Sequence, residues 1–181
     1  MKNKLIFILL IMLIVITGCA KKEGYSSPEE ALNNSGVSFK GLLTKVELPN
    51  AALTFYLTED PNMPIGTGFI REKKDRWQWI TGSSLQQMAD EPVTYNWVNL
   101  DKMRVEGKGY HMFWGVINQQ DIEKIYITYK NNWNLDGNAT ILDTGLGYRI
   151  WYVISNEYHG TVPGVDITGY SGAGTVVYTN R

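Results

Sequence analysis

Few side chains in this sequence are of the types that do chemistry. There are two histidines, His111 and His159, and a single cysteine, Cys19. His159 lies between Tyr158 and Gly160 in a loop, where functional residues concentrate, but no nucleophile or second base stands beside it. His111 sits inside the apolar run YHMFWGVI, where the plainer reading is a strand histidine with a satisfied ring. No Gly-x-Ser-x-Gly nucleophile elbow is present. A zinc site wants three or four close His, Cys or acidic ligands, and the two histidines do not lie within helix or hairpin reach of each other. Glu59-Asp60 and Asp90-Glu91 are adjacent carboxylate pairs in loops. Such pairs can bind Ca²⁺ weakly or serve a glycosidase, although most are simply solvated charge. Asp136-Gly137-Asn138 resembles part of a Ca²⁺ loop but lacks the alternating acids and terminal Glu. No cofactor and no metal site is expected.

The aromatic residues are a stronger lead, with six Trp and eleven Tyr among 181 residues. Trp77 and Trp79 are two apart, so both leave one face of a strand. Trp151 and Tyr152 are adjacent and point to opposite faces. Exposed, these rings would form a platform for sugar rings or a surface for a partner protein. Buried, they fill the core of a domain without disulfides, and the alternation of Trp77 and Trp79 with Arg76 and Gln78 fits a half-buried strand. Trp77, Trp79, Trp151 and His159 are therefore the candidate ligand-binding residues, and no residue is assigned a catalytic role.

The elements that must position them are mostly strands. Ser27-Pro28-Glu29-Glu30 reads as a helix start, with Ser27 as cap, Pro28 at the first position and Glu30 closing a capping box. Asn33 to Gly36 stop that helix after about two turns. From Gly41 the apolar period becomes two. Leu42, Thr44, Val46 and Leu48 share one face, as do Leu53, Phe55 and Leu57, with a turn at Pro49-Asn50. A second hairpin is expected from residues 68–71 and 76–81 around the charged tip at 72–75. Residues 82–91 allow a single helical turn through Leu85, Met88 and Ala89, and residues 93–98 a short strand. Residues 110–117 are polar on neither face, which suits burial on both sides. Residues 122–129, 139–142, 147–154, 165–169 and 175–179 complete about ten short strands at regular spacing. The expected fold is mainly β, an antiparallel β-sandwich or barrel-like domain with one short N-terminal helix, following a cleaved signal peptide.

Residues 1–20 carry the address. Lys2 and Lys4 precede an unbroken apolar run of twelve residues, 5–16. As a helix it would reach ~18 Å, short of the ~30 Å hydrocarbon core of a bilayer. A positive start, a short apolar centre and small residues after it describe a secretory signal peptide. Ile16-Thr17-Gly18-Cys19 resembles the lipobox of bacterial lipoproteins. The resemblance implies a diacylglyceryl group on the Cys19 thiol and cleavage just before it. Two acyl chains give stable anchoring where one gives only marginal binding, and lipidation accounts for a lone thiol outside the cell.

Cleavage divides the chain into a signal peptide (1–18), a lipidated cysteine with its tether (19–26) and one mainly β domain (27–181). The remaining 163 residues have lost two lysines from the full chain's 17 cationic side chains and keep its 18 acids, for a net charge of −3. That balance gives no footprint for nucleic acid or for anionic headgroups, so the lipid must hold the protein to the membrane. The C-terminal half is similar to small secreted and lipid-anchored proteins of Bacillus-like bacteria. The resemblance rests on Trp114-Gly115-Val116-Ile117, Ile122-Glu123-Lys124-Ile125, Tyr148-Arg149-Ile150-Trp151 and Val176-Val177-Tyr178. It implies no activity. The expected function is a membrane-anchored, extracytoplasmic and non-enzymatic binding or accessory module for an envelope protein or glycan. The alternative is an envelope hydrolase using loop carboxylates and His159.

Overall fold

The computed structural model describes residues 24–86, 90–100, 110–130, 136–155 and 164–180. These form one short helix, α1 (Pro28–Asn33), and twelve strands. The strands make three antiparallel four-stranded sheets, none closed into a barrel. The first sheet is a meander of β1 (Phe39–Leu48), β2 (Ala51–Thr58), β3 (Ile65–Lys73) and β4 (Arg76–Leu85). The second runs in the order β5 (Asn96–Asn99), β6 (His111–Ile117), β10 (Arg149–Ser155), β9 (Thr140–Asp143). The third runs β12 (Val176–Thr179), β11 (Val165–Tyr170), β7 (Lys124–Tyr129), β8 (Gly137–Asn138). Among the described residues, no helix is long and apolar enough to cross a membrane.

The second sheet is the middle layer. One face of β6 and β10 presents Met112, Trp114, Val116, Ile150 and Tyr152 to Leu53, Phe55, Ile65 and Phe69 of the first sheet. The other face presents Phe113, Ile117 and Trp151 to Ile125, Ile127, Val165 and Ile167 of the third. All seven residues of β6 are buried, His111 among them at 0 % exposure. This is the burial on both sides that an apolar run without alternation requires. A smaller third cluster lies on the outer face of the first sheet, where Ala31 and Leu32 of α1 pack on Tyr56 and Ile70.

Three local details differ from the sequence expectation. Ser27 caps α1 as read, its Oγ accepting from Glu30 N at 3.1 Å. Glu30, however, reaches back to Ser26, accepting from its N–H at 2.8 Å and its hydroxyl at 2.6 Å, so the reciprocal half of the box is displaced by one residue. In β1, register shifts between Phe39 and Gly41 and between Leu42 and Thr44 reset the alternation. Leu43, Val46 and Leu48 therefore pack inward while Leu42 is 42 % exposed. Residues 82–85 continue β4 rather than starting a helical turn; Met88 and Ala89 lie outside the described residues.

A close backbone approach lies within the middle sheet. The chain at Thr94 crosses β6 at Gly115, where a side-chain carbon would lie 1.8 Å from the Thr94 carbonyl oxygen. That carbonyl accepts from Val116 N at 3.3 Å and from the Trp151 indole at 3.1 Å. Gly115→Ala must therefore push Thr94 outward and break both bonds. We expect a loss of about 1–3 kcal/mol, a drop of roughly 2–9 °C in Tm at this chain length, read by thermal denaturation. An unchanged Tm would contradict this packing.

Candidate functional site

A groove of about 510 Å³ opens on the outer face of the first sheet, beyond the part that α1 covers. Its lining includes Val37, Tyr56, Asp60, Met63, Trp79 and Ser84. Strand alternation puts Tyr56 and Thr58 of β2 on this outer face, because Leu53 and Phe55 take the inner one. Across the sheet, Gly66 pairs with Ser84 and Gly68 with Gly82. A register shift in β3 and β4 between Phe69 and Ile70 then sets Ile80 inward and brings Trp79 to the same face as Gly82.

The floor is made of aromatic rings laid across glycines. A side-chain carbon at Gly68 would sit 2.2 Å from Trp79 Cζ3, and one at Gly82 would sit 2.6 Å from Trp79 Cζ2. The outer edge of the indole's six-membered ring thus packs against both β3 and β4. Tyr56 does the same over Gly66, with a side-chain carbon there 2.3 Å from its Cε2. Phe39 stands beside Tyr56 at a centroid distance of 5.7 Å, leaving Tyr56 buried and Trp79 half-buried. Any larger residue at these three glycines would lift the rings.

One wall is a turn that holds its own shape. Thr58 Oγ1 donates to Met63 O at 2.5 Å and accepts from Asp60 N at 3.2 Å. Asp60 Oδ1 accepts from Asn62 N at 2.8 Å, and Ser84 Oγ reaches Met63 Sδ at 3.3 Å. Asn96 Nδ2 donates to Ser83 Oγ at 3.1 Å, which ties β5 to the rim. Glu59 and Asp60 give this rim negative charge, and the lining adds the hydroxyls of Ser38, Ser83 and Ser84. The wall is thus ordered before any ligand arrives.

The sequence candidates separate cleanly. Trp79 and the Glu59-Asp60 pair come together in the groove. Trp77 and Trp79 share the outer face and both pack against the α1 cluster, but Trp77 is bridged to Tyr25 and only Trp79 lines the groove. Trp151 has 0 % exposure, and its indole is bonded to Thr94 O, so it offers no surface to a ligand. Its neighbour Tyr152 does face the opposite layer, as alternation requires. His159 and Cys19 lie outside the described residues. Asp136 serves the backbone, its Oδ1 accepting from Tyr129 N at 2.8 Å. Among the described residues, no group of three or more His, Cys, Asp or Glu is placed to hold a metal ion. Tyr56 and the glycine floor were not among the candidates. Their signal was the Gly66-x-Gly68 spacing inside a strand, which marks close approach on one face. No protein-family model, curated protein or solved structure matches the chain.

Burial pushes the Tyr56 hydroxyl up to about 12. Tyr129 is likewise pushed to about 12 by burial and, secondarily, by the charge of Asp136. A phenol whose folded pKa is raised contributes stability that is whole below its unfolded value near 10 and is lost as pH rises through the folded one. The Tm should hold to roughly pH 9.5 and then fall towards pH 12, with a shallower fall in Tyr56→Phe. Titration of every tyrosine near pH 10 in the folded protein, read by phenolate absorbance, would contradict the burial of these two hydroxyls.

Proposed function

We propose that this protein is a lipid-anchored, extracytoplasmic binding module that takes an envelope glycan in the groove over Trp79. The observation that supports it best is the half-buried Trp79 indole packed on Gly68 and Gly82 at the floor of an open groove. A flat aromatic surface suits the C–H face of a sugar ring, and the serine hydroxyls and Glu59-Asp60 carboxylates at the rim suit its polar substituents. A cleft of this volume is in the range of small-ligand sites. The acidic rim favours neutral or amino sugars over acidic ones, since like charges repel. The lipobox around Cys19 is the ground for the anchor and for the location.

The hydrolase reading is weaker on one observation. Hydrolysis with two carboxylates needs them on either side of the scissile bond. Glu59 and Asp60 are neighbours on one turn, and Asp60 is engaged in holding that turn.

Titration calorimetry with cell-wall glycan fragments tests the site. Trp79→Ala should weaken binding by about tenfold or more, as expected for loss of a central aromatic contact, while Trp77→Ala should leave it nearly unchanged. Equal losses in both variants would refute the groove. Binding with no affinity for any glycan, but capture of an envelope protein lost in Trp79→Ala, would replace the ligand class and keep the site. For the anchor, Cys19→Ala should free the protein from membranes or leave an unprocessed precursor. A variant that fractionates and migrates like the wild type would refute lipidation.

A further inference from the structure

The start of the described chain is fastened to one end of the first sheet. Tyr25 pairs with Trp77 at the edge of β4, its N–H donating to Trp77 O at 2.7 Å and its carbonyl accepting from Trp77 N at 2.8 Å. The Arg76 guanidinium donates to Gly24 O through Nε at 3.1 Å and Nη2 at 2.5 Å. Gly24 has φ +103°, and a side-chain carbon there would lie 2.9 Å from Trp77 O, so the fastening depends on glycine. Between Cys19 and Gly24 there are five residue steps, which span at most ~18 Å fully extended. This fastened end also carries both tight turns of the sheet, because Glu72 N donates to Asn50 O and Arg71 pairs with Ala51.

The groove lies at the other end. Trp77 to Ser84 is seven steps along β4, ~20 Å at strand rise. Its wall, residues 59–64, is the opposite turn of the same meander. The two ends differ in charge. Residues 71–76 carry Arg71, Lys73, Lys74 and Arg76 against Glu72 and Asp75, with Lys73, Lys74 and Asp75 exposed at the tip. Residues 59–64 carry Glu59 and Asp60 and no cation. On the flank, Lys45 is ion-paired with both Glu29 and Glu47.

Resting on the reading that Cys19 bears the lipid, we infer that the turn end at Asn50 and Lys74 faces the bilayer headgroups and the groove opens away from the membrane. A tether this short, fixed at that end, keeps the end within ~18 Å of the lipid. An anionic headgroup layer attracts the cationic tip and repels the acidic rim. The bound ligand is then a component of the envelope beyond the bilayer, not a lipid headgroup.

Fluorescence depth quenching tests this. A clickable amino acid is introduced at Lys74 or at Asn62, and a dye is attached. Protein from cell membranes is reconstituted into phosphatidylglycerol-containing vesicles carrying a headgroup-bound quencher. In parallel, the chain beginning at Cys19 is coupled through that unique thiol to a maleimide phospholipid. Among the described residues the core spans Ala31 to Ile167, and matching thermal denaturation of the two preparations checks that the coupled chain is folded. The dye at 74 should lose most of its emission and the dye at 62 should keep most of it. Equal quenching, or the reverse order, would overturn the orientation. If the cell-derived protein carries no lipid, lipidation fails while the coupled arm still decides the orientation.

Discussion

The structure depends on a middle sheet with no solvent face. Once β6 and β10 are covered on both sides, every position along them must be apolar or bonded, and every backbone group must be paired within the sheet. That is why β6 reads HMFWGVI without alternation, and why Gly115 stands where the chain at Thr94 crosses. The Thr94 carbonyl then ties the chain before β5 to two strands by accepting from β6 and from Trp151 of β10. Large rings fill the two interfaces, with Trp114 on Phe55 at 5.8 Å and Phe113 on Tyr129 at 5.7 Å between centroids. A chain with one cysteine, and so without an internal disulfide, builds its rigidity from these two interfaces.

The proposed function uses a surface that this core does not. The first sheet spends its inner face on the middle layer, and α1 covers part of its outer face. What remains uncovered is the groove end, floored by Tyr56 and Trp79 and walled by a turn with its own hydrogen bonds. A rigid floor and an ordered wall reduce the ordering cost of binding. The same sheet receives the chain from Gly24 and Tyr25 at its other end, beside Arg76 and Trp77.

Sequence pattern made the middle layer legible. Residues 110–117 lack a polar face, and the strand they form, β6, is buried throughout; residues 147–154 carry Arg149, and of that stretch only Ile150, Trp151 and Tyr152 are buried. Trp77 and Trp79 share a face as their spacing requires. What alternation could not show was a change of phase. The bulges in β1 turned Leu42 outward and Leu43 inward, and the shift between β3 and β4 set Trp79 over Gly82. Gly66, Gly68, Gly82, Ser83 and Ser84 look like weak strand formers in a one-dimensional reading. In the fold they extend β3 and β4, because the glycines make room for rings supplied by other positions. Trp77 and Trp79 were separable only once the fold showed Tyr25 bridged to the first and the groove opening beside the second.

The central claim is that Trp79 is the ligand platform of this domain. The most direct measurement is the set of tryptophan indole N–H resonances, followed by NMR during titration with cell-wall glycan fragments. The account predicts that the Trp79 signal moves together with backbone amides of residues 58–60, 62–63 and 83–84, while Trp114 and Trp151 stay fixed. Movement centred on other residues, with Trp79 unchanged, would contradict it.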